Sequence, residues 1–148
     1  MNLHINKHQK NAARLLMALG LLGAAHGAAA QQVEKSAPAG TGIYEAVINQ
    51  ADGHIYVSSA GSRSNPGGAL YKIDPETLAI VDSISMKDNP PFGLGINNKT
   101  QVVYTTNTRT NSVSAVDLKT KKVLATFNAG GDHSHQRAVL VAEENNMV

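Results

Sequence analysis

The chain carries one pattern twice. Tyr44-Glu-Ala-Val-Ile48-Asn49 recurs as Phe92-Gly-Leu-Gly-Ile96-Asn97 at a spacing of 48 residues, and Tyr56-Val-Ser-Ser59 recurs as Tyr104-Thr-Thr-Asn107 at the same spacing. Further on, Leu70-Tyr-Lys-Ile-Asp74-Pro-Glu-Thr77 recurs as Val113-Ser-Ala-Val-Asp117-Leu-Lys-Thr120 at a spacing of 43. The difference falls in one loop, where Gly61 to Gly68 is longer than Thr108 to Asn111. Self-similarity at this period means one supersecondary unit used repeatedly, each copy burying its apolar side against the next.

Each unit reads as four short strands. Runs rich in Ile, Val, Thr, Ser and Tyr alternate with Gly, Asn, Asp and Pro clusters, and no window carries apolar residues at helical spacing. The strands fall near 43–48, 54–60, 69–74 and 78–85, then near 92–97, 101–107, 112–117 and 122–128. Asp74-x-x-Thr77 and Asp117-x-x-Thr120 suit tight turns, because the Asp carboxylate can accept the backbone N–H two residues on. Asp52-Gly53 marks another hairpin. The fold expected is all-β, a β-propeller of four-stranded antiparallel blades, because a unit of this length has the size of one blade. A β-sandwich of duplicated sheets is the alternative.

Residues 42–148 are thus expected to be a partial β-propeller, with blade one at about 42–86 and blade two at about 91–128. A third copy starts at Arg137-Ala-Val-Leu-Val141-Ala and runs to Asn145-Asn-Met-Val148, giving a partial blade three at about 137–148. Propellers close with four to eight blades, so the chain is expected to be the front part of a longer protein, open at one edge to self-association.

The first thirty residues have a different origin. Lys7, Lys10 and Arg14 precede the apolar run Leu15 to Ala25, which is followed by small residues up to Ala30. This is the layout of a secretory signal peptide over residues 1–30, with cleavage expected after Ala30 and the small pair at Ala28 and Ala30. An uncleaved N-terminal helix is the alternative. Eleven apolar residues are too few for a stable membrane anchor. The formal charge of +2 belongs to this segment, since beyond it 10 Lys and Arg stand against 11 Asp and Glu. The location expected is the periplasm or the exterior. With no cysteine, disulfide scaffolds and thiolate metal sites are excluded. Residues 31–41 are polar and aperiodic, and read as a flexible lead-in.

The Tyr-Val-Ser-Ser and Tyr-Thr-Thr-Asn runs, the Asp-x-x-Thr turns and the Val-Leu-Ala-Thr-Phe127 strand resemble the repeat of the YVTN family of β-propellers. With Gly-Gly-Ala-Leu-Tyr71, Pro-Pro-Phe92-Gly-Leu-Gly and Ser112-Val-Ser-Ala-Val-Asp117 added, the chain is similar to YncE-like periplasmic propellers. The resemblance implies a seven-bladed exported binding scaffold. It carries no catalytic motif that could be placed on residues here.

In a propeller, the loops from strand two to strand three share a face with the links between blades. That face would receive Arg63 and Arg109 from the loops, Lys87, His133 and His135 from the links, and Arg137 at a strand start. Tyr44 and Phe92 would border the central channel. A cationic rim beside aromatic rings suits an anionic ligand, including single-stranded DNA, whose bases stack while its phosphates pair. The competing reading makes the arginines solvated loop residues and the rings packing groups between blades. Asp132-His133-Ser-His135 is a conceivable metal cluster, but it lacks a further ligand and reads better as surface histidines. No catalytic residue, metal site or cofactor is expected, since nucleophile elbows, P-loops, dinucleotide fingerprints and zinc motifs are all missing. The function expected is therefore an exported non-enzymatic scaffold binding a protein or an anionic ligand. A propeller enzyme with its site beyond Val148 is the remaining alternative.

Overall fold

The computed structural model describes residues 32–131, 135–145, 147 and 148. The signal segment with Ala28 and Ala30, and His133 in the histidine cluster, lie outside the described residues. Residues 35–148 make one compact unit. Eight strands follow in order: β1 (Ile43–Ile48), β2 (Ile55–Gly61), β3 (Pro66–Ile73), β4 (Ile80–Ser85), β5 (Leu94–Asn97), β6 (Val102–Asn107), β7 (Ser112–Asp117) and β8 (Lys122–Asn128). They form two sheets with the same meander, β1-β2-β3-β4 and β5-β6-β7-β8, every pair antiparallel. The all-β expectation holds, and the repeat boundary falls in the link after β4.

The repeats are equivalent down to single hydrogen bonds. The N–H of Gly53 donates to the Asn49 carbonyl at 2.8 Å, and that of Gln101 does the same to Asn97. Both residues at these turns are left-handed, at φ 72° and 62°. Asp74 Oδ1 accepts the amides of Glu76 and Thr77 at 3.0 and 2.8 Å, and Asp117 Oδ1 accepts those of Lys119 and Thr120 at 2.7 and 3.1 Å. The Asx turns anticipated from sequence are thus both formed. Leu78 and Lys121 each take φ 58° at the same step. Near the strand-one starts, the Ser58 hydroxyl accepts the Glu45 amide and the Thr106 hydroxyl accepts the Gly93 amide. Sequence similarity at these spacings therefore reflects repeated backbone geometry.

The core lies between the two sheets. Tyr56, Leu70, Ile84 and Met86 of the first unit meet Leu94, Val103, Val116 and Leu118 of the second. These side chains follow the alternation of a half-buried strand, with one side turned toward the facing sheet. Burying each is worth about 1.5–3 kcal/mol. Tyr56 is buried in this core, whereas its repeat equivalent Tyr104, on the far side of the second sheet, is half-buried.

Polar contacts tie the sheets together at their margins. Asn49 and Gln101 exchange amide hydrogen bonds at 2.8 and 3.1 Å. Lys121 reaches Asp82 across the interface, and Lys72 pairs with Asp52 at 2.8 Å within sheet one. Desolvation pushes the Asp52 carboxyl up, but the Lys72 bond, the His54 amide and the nearby positive charges outweigh it and hold it below its usual range. Backbone amides lower the carboxyls of Asp74 and Asp117, Lys121 lowers Asp82, and Asn98 lowers Glu143. A carboxylate lowered in the folded state stabilises the fold above its unfolded pKa and loses that contribution as pH falls through the folded value. The melting temperature should therefore be flat from about pH 6 downward until the ordinary carboxylate range near 4, then drop steeply. A thermal-melt series against pH checks this, and a fall beginning near pH 6.5 would instead implicate histidine.

A third unit begins in register. Gln50, Asn98 and Glu143 occupy equivalent positions in successive repeats. The Gln50 amide donates to Asn98 Oδ1 at 2.8 Å, and the Asn98 amide donates to Glu143 Oε1 at 2.7 Å. Each hairpin thus hands its N–H to the side chain of the next. The third segment passes so close to β5 that a Cβ at Gly93 would collide with the Arg137 carbonyl, and one at Gly95 with Val141. Glycine is required at Gly93 because the incoming backbone takes the space of a side chain, while at Gly95 it is the Val141 methyl that fills it. A bridge between Ala142 and Met147 starts the next hairpin.

Candidate functional site

The β2–β3 and β6–β7 loops leave the same end of the two sheets, and four of the five residues singled out from sequence gather along its inner edge. Tyr44 in β1 and Phe92 just before β5 have ring centroids 4.4 Å apart with planes tilted by 59°. The Arg109 guanidinium, from the β6–β7 loop, stands 5.5 Å from the Phe92 centroid. Arg137 is the third-repeat equivalent of Tyr44 and Phe92, and its carbonyl abuts Gly93. The order along the edge is therefore Tyr, Phe, Arg, with Arg109 set over the middle ring.

These residues differ in availability. Phe92 is only 6% exposed and works as the support of the cluster, whereas Tyr44 is 55% exposed. Arg109 is engaged: Nη1 donates to the Ala60 carbonyl at 2.7 Å and Nη2 lies 3.4 Å from the Gly61 carbonyl. It closes the top of the sheet interface by neutralising the carbonyls at the end of β2, while its remaining donors stay at the surface. Planar guanidinium suits this double use, since it can stack on a ring and donate in its own plane. Arg63 lies in the exposed loop Ser62–Asn65, folded on itself by the Ser62 and Asn65 backbone hydrogen bond at 2.9 Å. Arg137 is exposed as well.

Behind the cluster sits a buried polar network that sequence reading passed over. Asn107 is fully buried; its Oδ1 accepts from the Thr105 hydroxyl at 2.9 Å, and its Nδ2 donates to Ser112 at 3.0 Å and Ser114 at 2.7 Å. Ser114 continues to Thr126 at 3.0 Å. The network fixes the ends of β6 and β7, and with them the loop carrying Arg109. The signal available was the polarity of Thr105, Asn107, Ser112 and Ser114 at alternate positions of neighbouring strands. On the far side of the second sheet, a groove of about 510 Å³ is bounded by Val113, Phe127, Ala138, Val139 and Leu140. Among the described residues, no three His, Asp or Glu side chains converge as a metal site would need.

Two stacked four-stranded antiparallel sheets, repeated at blade length, make this an all-β protein of β-propeller-like fold. A solved structure of Kuenenia stuttgartiensis hydrazine synthase matches it with a TM-score of 0.56 and 15% identity, over 78% of this chain and 30% of that one. At that identity the likeness concerns the fold alone. No family model matches the chain. In sequence the chain is similar to YncE: it is 38% identical over 85 residues to the uncharacterized protein YncE of Escherichia coli K12, and equally to that of Salmonella typhi. The matched stretch is 57% of this chain and 24% of each relative.

Proposed function

We propose that the chain is an exported, non-enzymatic β-propeller scaffold that binds a partner at the loop end of its blades. The observation that carries this is the exposed Tyr44 ring on a Phe92 support, with Arg109 over the Phe92 ring and Arg137 next along the same edge. A supported aromatic face beside cationic side chains binds a flat, anionic ligand better than a smooth protein surface, and single-stranded DNA has both properties. Export rests on the basic, apolar and small-residue succession up to Ala30.

In this reading Tyr44 stacks, Arg63 and Arg137 pair with charge, and Arg109 is a positioning residue that keeps Phe92 under Tyr44. Protein recovered from the periplasm should begin at Gln31 by intact mass, and it should bind a fluorescent oligothymidine with an affinity that falls as salt rises. Tyr44→Ala should weaken binding about tenfold, the loss of one stacked base. Arg63→Ala should reduce both affinity and salt dependence, while Lys119→Ala, at the opposite end, should leave both unchanged. Equal losses from Arg63→Ala and Lys119→Ala would reduce the effect to diffuse charge, and absence of binding at low salt would remove the nucleic-acid reading. Recovery of an intact Met1 form in the cytoplasm alone would remove export.

A further inference from the structure

β1 is irregular where it carries the aromatic edge. Ile43 pairs with Ser59 and Ala46 with Val57, so Tyr44 and Glu45 together stand opposite Ser58 alone. Neighbouring side chains of a regular strand point to opposite faces, whereas a bulge breaks that alternation and re-aims one of them. Both residues accordingly reach the second sheet: the Tyr44 ring meets Phe92 with centroids 4.4 Å apart, and Glu45 Oε2 accepts the Leu94 amide at 2.8 Å. Ser58 pins the bulge. Its buried hydroxyl accepts the Glu45 amide at 3.0 Å and donates to the Phe92 carbonyl at 2.5 Å.

The bulge thus sets a fixed carboxylate beside the exposed ring. Phe92 and Leu94 are two residues apart, about 6.6 Å along an extended chain, so the groups that meet them lie within the span of one nucleobase. Glu45 is exposed, and its Oε1 accepts no hydrogen bond among the described residues. The equivalent positions of the second and third units are Gly93 and Ala138, which have no polar side chain. In the second unit the Thr106 hydroxyl holds the Gly93 amide at 2.8 Å just as Ser58 holds that of Glu45. The repeat keeps its backbone geometry there without a carboxylate, so the one at Glu45 is free to serve a ligand.

We propose that Glu45 selects the base: with a nucleobase stacked on Tyr44, its carboxylate accepts N–H donors from the edge of that base and favours guanine over thymine. This rests on the single-strand reading given above. A carboxylate accepts and cannot donate, and it repels phosphate, so the part of a nucleic acid that it can hold is a base edge carrying N–H groups. Guanine presents N1–H and N2–H side by side, matching the two oxygens, and Oε2 keeps a second lone pair for the Leu94 amide. Thymine presents one N–H between two carbonyl oxygens, which face the carboxylate unfavourably. Stacking on Tyr44 tolerates every base, so selection belongs to Glu45.

The test measures fluorescence anisotropy of labelled decamers with the whole chain: alternating thymidine and guanosine, the same with inosine for guanosine, and oligothymidine. Equal length fixes the phosphate contribution, so differences report the bases. The guanosine decamer should bind about tenfold tighter than oligothymidine, the value of one bidentate contact, with the inosine decamer between them because it lacks the N2 amino group. Glu45→Gln keeps a carbonyl for the Leu94 amide and should bring all three to within about twofold of one another. The ratio is read within one protein, so a partly unfolded variant, which weakens all three alike, does not imitate lost selection. Equal affinities in the native chain, or an unchanged ratio in Glu45→Gln, would overturn base selection while leaving single-strand binding in place. Absence of binding to every decamer at low salt would overturn the single-strand reading and base selection with it.

Discussion

Leu70→Ala should destabilise the fold by about 3 kcal/mol, within the range of about 2–5 kcal/mol for emptying a closed aliphatic site. Leu70 is fully buried in β3, in the cluster shared with Leu94, Val103 and Val116 of the second sheet. The lost methyl groups leave a cavity that two rigid sheets close only partly. The damage should be to coupling as well as to stability, since the side chain belongs to the contact between repeats. Chemical denaturation followed by circular dichroism should show an earlier midpoint and a broader transition. A change under 1 kcal/mol would mean that the sheets do not share a core.

Asn107→Ala should cost about 2–3 kcal/mol, from the hydroxyls left without their buried partner. Thr105, Ser112 and Ser114 all lose a hydrogen bond to it. The result should exceed that of Thr110→Ala, whose hydroxyl lies at the surface and meets Asn89 at 3.1 Å. The Asn107 change should also loosen the Arg109 loop, so oligonucleotide affinity should fall with it. Denaturation midpoints of the two variants side by side decide the matter, and equal midpoints would dismiss a structural role for the network.

Much of this fold is legible in the residues because its geometry is repeated. Asp74 and Asp117 announce their turns through a local hydrogen bond, which needs nothing from the rest of the chain. The strand-one and strand-two motifs are visible for the same reason. Boundaries are less visible: β3 begins at Pro66, not near 69, because Gly61 pairs with Pro66 across an irregular loop that propensity cannot foresee. The site was half legible. Tyr44 and Phe92 stand out as equivalent aromatics, but the engagement of Arg109 by the Ala60 and Gly61 carbonyls depends on a contact across 48 residues or more. The lead-in looks structureless in sequence because it lacks periodicity. What places it is a set of single contacts to Ser59, Tyr71 and Glu76, none of which leaves a pattern along the chain.

Stacking in register makes one demand that can be read at single amides. The Gln50 amide has Asn98 as acceptor and the Asn98 amide has Glu143, each from the repeat that follows. Hydrogen exchange by NMR should find both amides protected although they sit in exposed or half-exposed hairpins. Glu143→Ala should accelerate Asn98 exchange about tenfold or more and leave Gln50 slow, while Asn98→Ala should accelerate Gln50. Fast exchange at Asn98 in the native chain, or no response to Glu143→Ala, would contradict a third unit stacked on the second as the second is stacked on the first.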